Sequence, residues 1–514
     1  MYRLLFLSTL LVCSLATCWA QKSTKKKPNV LVIYTDDHRY TGIHALGGQA
    51  VKTPNMDQLA NEGLIFTKTY LQGAFSGATC IPSRAMLLTG RSVFDLQGVG
   101  HTIPAEHTMI GETFSAAGYH SHIEGKWHQD TQSLARGFDT GGLIMGKPVY
   151  LVDHFRMPFS EWNSQGSYPK KNAFLLKWDE NGDVVRKSIG PDDKRGPFGT
   201  EENGPHTSEV IADGAISFLE AFKKDNPFFM YVAFHAPHDP RQAPKAYKAM
   251  YPEKEVELPP SYLPQHPFEK ADLLVRDEAL AVWPRTPEVS KKELSDYYAI
   301  ITHLDDQIGR VIKALKEKGM YENTIIVLAG DSGLAVGNHG LMGKQNIYDE
   351  DGIHVPFIIS GGLIKDKGRR LDPLSYTHDI YPTICDLAGV EVPASVKGKS
   401  LLPVIDGEKS QVRDYTYHAY KQYERAIRVG NYKLIEYVRA KEENRTGEVS
   451  EVGSRVTQLF NLANDPWEIH DLSWYEEYDE TVKELRRELR VRASEEGDDA
   501  DGILGQKFDF WDFY

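Results

Sequence analysis

The sequence predicts an α/β fold, a sandwich on a mostly parallel β-sheet, followed by a smaller C-terminal α+β unit with an antiparallel sheet. Two observations predict the first part. Short β-branched runs alternate with helical patterns, and three of those runs end in clustered polar residues. Alternation of this kind marks a parallel sheet with helices packed on it. A third observation predicts the second part: near Asp406 the alternation gives way to paired strand patterns.

In chain order, the strands are NVLVIYT (Asn29 to Thr35), PFFMYVAF (Pro227 to Phe234), NTIIVLAG (Asn323 to Gly330) and HVPFIISG (His354 to Gly361). Their near-continuous apolar character reads as parallel strands buried on both faces. Helices are expected at MDQLANEGL after Pro54, SEVIADGAISFLEAF before the second strand, and SDYYAIITHLDDQIGRVIKALKEKG before the third. Asp36-Asp37, the run His235 to His238, and Asp331-Ser332 follow three of the strands. Open α/β sheets bind ligands at the carboxyl ends of their strands.

Two stretches interrupt the pattern. Residues 140–205 are rich in Gly, Pro, aromatics and charge, with a hairpin expected at Asp179 to Asp183. Residues 252–289 are rich in Pro and charge. Long irregular insertions are usually functional or mobile, so both read as walls of a substrate site, with decoration an equal alternative for the second. Beyond GKSLLPVIDGEKS, RAIRVGNYKLIEYV and VTQLFNL read as antiparallel strands. TVKELRRELRVRA places Val482, Leu485 and Leu489 on one helix face. The division is therefore a catalytic domain over 27–405 and a subdomain over 406–514. The tail FDFWDFY is expected to dock onto the body, with carbohydrate contact as the alternative.

The 514 residues are 41% hydrophobic and 25% charged, enough for one large domain and a smaller one. Residues 1–20, with Arg3, an apolar run and small residues before Gln21, read as a signal peptide cut after Ala20. The protein is then exported, periplasmic or secreted, and Cys13 and Cys18 are lost. A lipid anchor on Cys18 is the alternative, though Thr17 suits it poorly. No later stretch is apolar enough for a membrane span. Net charge is −13, and −14 once Arg3 leaves with the signal. Such acidity argues against nucleic acid as a partner and requires any anionic substrate to meet a local cationic pocket. Cys80 and Cys385 remain, and one disulfide between them suits an exported protein. Otherwise Cys385, in YPTICDLAG, is a small buried hydrophobe.

Asp36, Asp37 and Asp331 at neighbouring strand ends would repel, so they require a cation or a raised pKa. An oxygen-only donor set suits Ca²⁺ or Mg²⁺. Alone, an Asp-Asp pair reads as a cap or turn; the third carboxylate shifts the balance. Cys80 lies in TCIPSRAMLLTGR, where a helix is expected to start beside it, with Ser83 and Arg84 in the first turns. A helix N-terminus and an Arg both stabilise anions. By spacing alone Cys80 is either a reactive thiol or a buried cysteine.

C-x-P-S-R followed by L-L-T-G-R resembles the signature of the formylglycine-dependent sulfatases. TDD (35–37), TPNMDQLANEGLIF, GYHSHIEGKWH, FHAPHDP, GDSG, GNHGLMGK and VPFIISG follow in that family's order. The resemblance covers the chain from about Lys27, and the layout is also similar to that of iduronate sulfatase. It implies an alkaline-phosphatase-like α/β/α sandwich. It also implies that a formylglycine-generating enzyme oxidises Cys80 to an aldehyde whose hydrate attacks sulfur. Asp36, Asp37, Asp331 and the oxygen of modified Cys80 would bind one Ca²⁺, or Mg²⁺. The family usually has Asn or His where this chain has Ser332, which leaves the ligand count open.

By the same resemblance, Arg84 steadies the hydrate, and Lys126 and Lys344 hold the sulfate oxygens. Asp331 takes the proton of the attacking hydroxyl. His238, with a near-neutral pKa, protonates the departing alcohol, and His128 deprotonates the second hydroxyl to expel sulfate. Each has a plainer reading: Lys126 as a surface lysine beside a core Trp127, His238 as a cap on the PRQAP loop. His235, His339 and His354 are further candidates to line the site. His101, Asp153, His154 and Arg156 are candidates for substrate contact.

A sulfated sugar or polysaccharide is the expected substrate, ahead of a small aryl sulfate, because specificity resides in loops. Two rivals remain. A phosphomonoester or phosphonate hydrolase on the same fold would favour a second metal site. An inactive polysaccharide-binding homologue would keep Cys80 unmodified.

Overall fold

Five strands form the middle of the large sheet: β1 (Asn29–Thr35), β2 (His120–Lys126), β3 (Phe228–Ala233), β4 (Thr324–Gly330) and β5 (Phe357–Ser360). They lie in the order β5-β4-β1-β3-β2 within an eleven-stranded sheet. This computed structural model describes residues 26–48, 50–150, 153–190, 202–270, 272–440, 452–498 and 510–514. The signal read at 1–20 lies outside them. Among the described residues no helix is long and apolar enough to cross a membrane.

The α/β reading holds, with three corrections. β5 runs antiparallel to β4, with Ile326 opposite Ser360, although its composition read as parallel. A two-face-buried strand is apolar whichever way it runs, so composition does not fix direction. β2, HSHIEGK, is an interior parallel strand that was not expected. Its polar side chains are buried with partners instead of being exposed: Ser121 Oγ accepts from Asp139 N (2.9 Å), and Glu124 accepts from Leu143 N (3.0 Å). The third correction concerns residues 140–205. Much of that stretch extends the sheet through Thr140–Met145, Phe159–Glu161, Phe174–Trp178 and Val184–Ser188. The hairpin at 179–183 is where it was expected, with Asp179 Oδ1 accepting from Asn181 and Asp183 backbone N–H groups.

Helices α1 (Pro54–Asn61), α2 (Cys80–Thr89), α3 (Thr207–Ala221) and α4 (Pro287–Glu317) cover the sheet. Strand alternation sorts its residues between two cores. Leu31, Ile33, Met230, Val232, Ile326 and Leu328 pack with Leu294, Ile301, Leu304 and Ile308 of α4. Val30, Val32, Tyr34, Phe229, Tyr231 and Val327 pack with Leu87 and Leu88 of α2 and with Ile384 and Cys385. Full burial of each such aliphatic side chain contributes about 1.5–3 kcal/mol. Cys385 is thus the small buried hydrophobe, and it and Cys80 are both free thiols, so the disulfide does not form.

The smaller sheet contains β6 (Tyr415–Tyr420), β7 (Glu424–Val429), β8 (Tyr432–Ala440) and β9 (Val452–Asn461), all antiparallel. Its far edge is Gly73–Ala74, a strand just upstream of Cys80. Helix α5 (Asp479–Glu496) buries Val482, Leu485 and Leu489 against this sheet, together with Phe510 of the tail. The tail's described aromatics therefore dock, as expected.

Candidate active site

Register brings the chemistry together. Thr35 of β1 pairs with Gly330 of β4, so Asp36 and Asp331 leave the sheet side by side. Tyr34 pairs with Ala233 of β3, and Ala233 with Gly125 of β2, which brings His235 and Lys126 to the same edge. Gly125 is required here. Its φ is +93°, and a Cβ would lie 2.2 Å from the Ala233 carbonyl oxygen.

Cys80 begins α2 and Arg84 lies one turn on, both essentially buried. Arg84 donates to Asp331 Oδ2 (3.0 Å) and to Tyr231 Oη (3.3 Å), and lies 3.5 Å from Asp36 Oδ2. Lys126 pairs with Asp36 and reaches to 3.9 Å from Cys80 Sγ. Lys344 donates to Asp37 Oδ1 at 2.5 Å. Asp37 backbone N donates to Asp331 Oδ1 (2.9 Å), and Ser332 Oγ donates to Asp37 Oδ1 (3.2 Å). His128 Nδ1 is 3.2 Å from Cys80 Sγ. All ten residues expected from the sequence meet in one cluster: Asp36, Asp37, Cys80, Arg84, Lys126, His128, His238, Asp331, Ser332 and Lys344.

Each carboxylate has a cationic neighbour, yet the three differ. Burial acts to raise Asp36, but Lys126 and Arg84 hold it well below the usual carboxylate range. Burial wins at Asp37, lifting it to about 6 against Lys344. Asp331 is pushed well up by burial and by Asp36 beside it. Burial also raises the Cys80 thiol to about 11, despite Lys126 and Lys344. At neutral pH only about one thiol in 10⁴ would be ionised there, so an unmodified Cys80 is a poor nucleophile.

The donor set fits a hard cation. Asp36 Oδ1 and Asp37 Oδ2 are buried carboxylate oxygens with no hydrogen-bond partner. Together with a His238 nitrogen, ligand atoms of Asp36 and Asp37 lie within 4.8 Å of one another. Among the described residues this is the only such three-residue cluster.

His238 differs from expectation. Burial, Lys344 and Lys126 hold its ring well below neutral, so it is an uncharged imidazole here. Its Nδ1 donates to the Asp239 carbonyl (2.7 Å), which leaves the Nε2 lone pair 3.8 Å from Asp37 Oδ2. An anion beside the ring would counter the lysines and raise its basicity. His128 is likewise held well below neutral by burial and Lys126, which suits a base.

Other candidates separate. His235 belongs to the site: Nδ1 donates to Asp36 Oδ2 (3.3 Å) and Nε2 accepts from Tyr150 Oη (3.3 Å). His339 instead binds Asp351 and the Glu468 carbonyl, and His354 binds Glu350 and the Thr67 carbonyl. The substrate contact expected of His154 does not fit, since it is buried with both nitrogens engaged, one on the His238 carbonyl. Asp153 and Arg156 pair with each other, and His101 is exposed. From that insertion it is Tyr150 that reaches the cavity over Cys80. The cavity, about 320 Å³, is also lined by His128, His238, Lys344, Arg276 and Asp277. No signal in the sequence marked Tyr150, Arg276 or Asp277 individually.

A family model described as Sulfatase matches residues 28–390, and one described as N-sulphoglucosamine sulphohydrolase, C-terminal, matches 337–495. An arylsulfatase of Clostridium perfringens is 32% identical, covering 92% of this chain and 96% of its own length. An N-acetylglucosamine-6-O-sulfatase of Bacteroides thetaiotaomicron is 27% identical over 93% of this chain and 88% of its own. A protein solved in complex with its substrate D-glucosamine-2-N,6-O-disulfate superposes with a TM-score of 0.71 at 23% identity, covering 94% of this chain and all of that one. With the cysteine-headed helix, the carboxylates at the strand ends and a family match over most of its length, the chain belongs to the sulfatase family, enzymes that hydrolyse sulfuric esters.

Proposed function

We propose that this chain is an exported sulfatase that removes sulfate from a sulfated sugar, with formylglycine replacing Cys80 and one bound Ca²⁺. The observation that carries the reading is the placement of position 80. Its side chain lies under the cavity, 3.2 Å from the His128 base and 3.9 Å from the Lys126 ammonium. Residues 27–405 would form the catalytic body and 406–514 the subdomain packed on it.

The aldehyde hydrate at position 80 supplies an attacking hydroxyl and a second hydroxyl for release of sulfate. Asp36, Asp37, Asp331 and the oxygen at position 80, with Ser332 beside them, would hold Ca²⁺, or Mg²⁺, which supplies positive charge for the ester oxygens. The chain's own groups do the rest. Lys126 and Lys344, fixed on Asp36 and Asp37, present ammonium groups where charge accumulates on the sulfuryl oxygens. Arg84 anchors Asp331 and keeps a positive charge beneath position 80. Asp331, held by Arg84, would accept a proton from the attacking hydroxyl. His128 is placed to take the second hydroxyl's proton. His238, once the bound ester has raised its basicity and Nε2 has taken a proton from solvent, would give that proton to the leaving alcohol.

The sugar reading draws on the relatives, one of which is an N-acetylglucosamine-6-O-sulfatase. A cavity of about 320 Å³ also suits a small ligand. The test is release of inorganic sulfate from a panel of sulfated sugars and aryl sulfates by protein whose aldehyde content has been measured. Release from a sulfated sugar is expected. No release from any sulfate ester by aldehyde-bearing protein would contradict the reading.

A further inference from the structure

The insertion at 252–289 brings Arg276 and Asp277 to the cavity that holds Cys80. Arg276 is wedged between two carboxylates. Its guanidinium pairs with Asp239, one nitrogen 3.3 Å from Oδ1, and donates to Asp277 Oδ1 at 2.7 Å. Asp277 Oδ2 is held by Gln345 Nε2 at 2.7 Å, and Gln345 neighbours Lys344 in the chain. The Asp239 and Asp277 side chains are 4% and 9% exposed, whereas Arg276 is 45% exposed. Arg276 and Asp277 line the cavity and Asp239 is buried behind the guanidinium, so two fixed carboxylates share one cation, a surplus of one negative charge. Beneath it the lysines provide the cationic floor that a sulfate needs.

We infer that Arg276, Asp277 and Asp239 form a specificity clamp that reads hydroxyl groups of the sugar ring next to the scissile sulfate. The clamp would select against a second anionic substituent at that position. This rests on the sulfated-sugar reading above and names the substrate class more narrowly, as a sugar neutral around its one reacting sulfate. A carboxylate–guanidinium pair offers acceptors and donors in a fixed plane, which matches vicinal hydroxyls. An added sulfate or carboxylate would meet the Asp277 carboxylate in the cavity, with Asp239 behind it, where like charges repel.

The test uses calcium-loaded, aldehyde-bearing protein, as wild type, Arg276→Ala, Arg276→Lys and Asp277→Asn. Substrates are 4-nitrophenyl sulfate, the positional monosulfates of galactose and N-acetylglucosamine, and each monosulfate carrying one further sulfate. The ratio of kcat/KM for the best monosulfated sugar to that for the aryl sulfate is expected to fall at least about tenfold in every variant, chiefly through KM. The penalty for a second sulfate should move in opposite directions, growing in Arg276→Ala and shrinking in Asp277→Asn. A folding defect cannot produce that sign change, and Arg276→Lys retains the charge while losing the planar fork. Unchanged ratios, or wild type cleaving the aryl sulfate and no sugar, would overturn the clamp and leave the sulfatase reading standing. Wild type cleaving no sulfate ester at all would overturn both.

Discussion

At the floor of the cavity three buried carboxylates meet three buried cations, Asp36 with Lys126, Asp37 with Lys344, and Asp331 with Arg84. One-for-one pairing keeps such charges tolerable in a low-dielectric site, while Asp36 Oδ1 and Asp37 Oδ2 still lack a partner. Adding Ca²⁺ is therefore expected to raise Tm, and chelation to abolish turnover reversibly. Ser332 already donates to Asp37, so its hydroxyl is satisfied there. Ser332→Asn should then bind Ca²⁺ as tightly as wild type or more so by titration calorimetry; a large loss of affinity would mean that Ser332 is specifically fitted as a ligand. At this scale the sequence was most legible, because Asp36, Cys80, Arg84 and Asp331 lie within a few residues of strand ends and helix starts. Tyr150, Arg276 and Asp277 were not legible, since their place depends on how long insertions fold back.

The element that presents Lys344 is a loop, and the smaller sheet holds it. Lys433 of β8 donates to the Ile347 carbonyl (2.7 Å) and to Asp349 (2.6 Å), and pairs with Glu468 (2.7 Å). Lys270 ties the Gln345 carbonyl to Glu424 of β7. Glu278 accepts from the backbone N–H groups of Met342 and Gly343. The C-terminal unit thus fixes Lys344, the lysine proposed to hold the sulfate, without touching the cavity. Lys433→Met would leave Asp349 and Glu468 without their shared cation, at a cost of about 3–5 kcal/mol. We expect kcat/KM to fall at least about tenfold at temperatures where the variant is still folded; retained kcat/KM in a destabilised but folded variant would show a purely structural role. Periodicity located β7, β8 and α5 from the sequence. It missed β2 because burial with hydrogen-bonded partners lets His, Ser and Glu occupy an interior strand, and it missed the direction of β5 because direction is set by pairing.

Across the whole molecule, buried histidines set the response to acid. Burial lowers His38, His154 and His378 to about 4, and His266 and His418 to about 3. His128, His206, His235 and His238 are also held well below their ordinary value. A histidine whose folded pKa is depressed takes up its proton more readily when unfolded. Its contribution is complete above about pH 6.5 and is lost as pH falls toward the folded value, by up to ~1.4 kcal/mol per pH unit per proton. Raised carboxylates act in the opposite sense: Asp37 and Asp305 at about 6, Glu468 at about 7, and Asp331, Asp239, Glu124, Glu424, Glu436 and Glu496 also lifted by burial. The urea midpoint should therefore drop between pH 6.5 and 4.5, by less than the histidines alone would give. A midpoint that rises over that interval would mean that the raised carboxylates outweigh the histidines.

The proposed chemistry converges on position 80, where a thiol held near pKa 11 is a poor nucleophile and a hydrated aldehyde beside His128 would be an able one. The most direct measurement is a titration of activity against modification. Protein is produced with graded amounts of formylglycine-generating enzyme, the aldehyde fraction at residue 80 is read by peptide mass spectrometry, and turnover of one sulfate ester is measured on each sample. Turnover should rise in proportion to the aldehyde fraction and extrapolate to essentially zero, with Cys80→Ala folded and inactive. Full turnover by protein whose residue 80 is an intact thiol would contradict the account and require a different nucleophile.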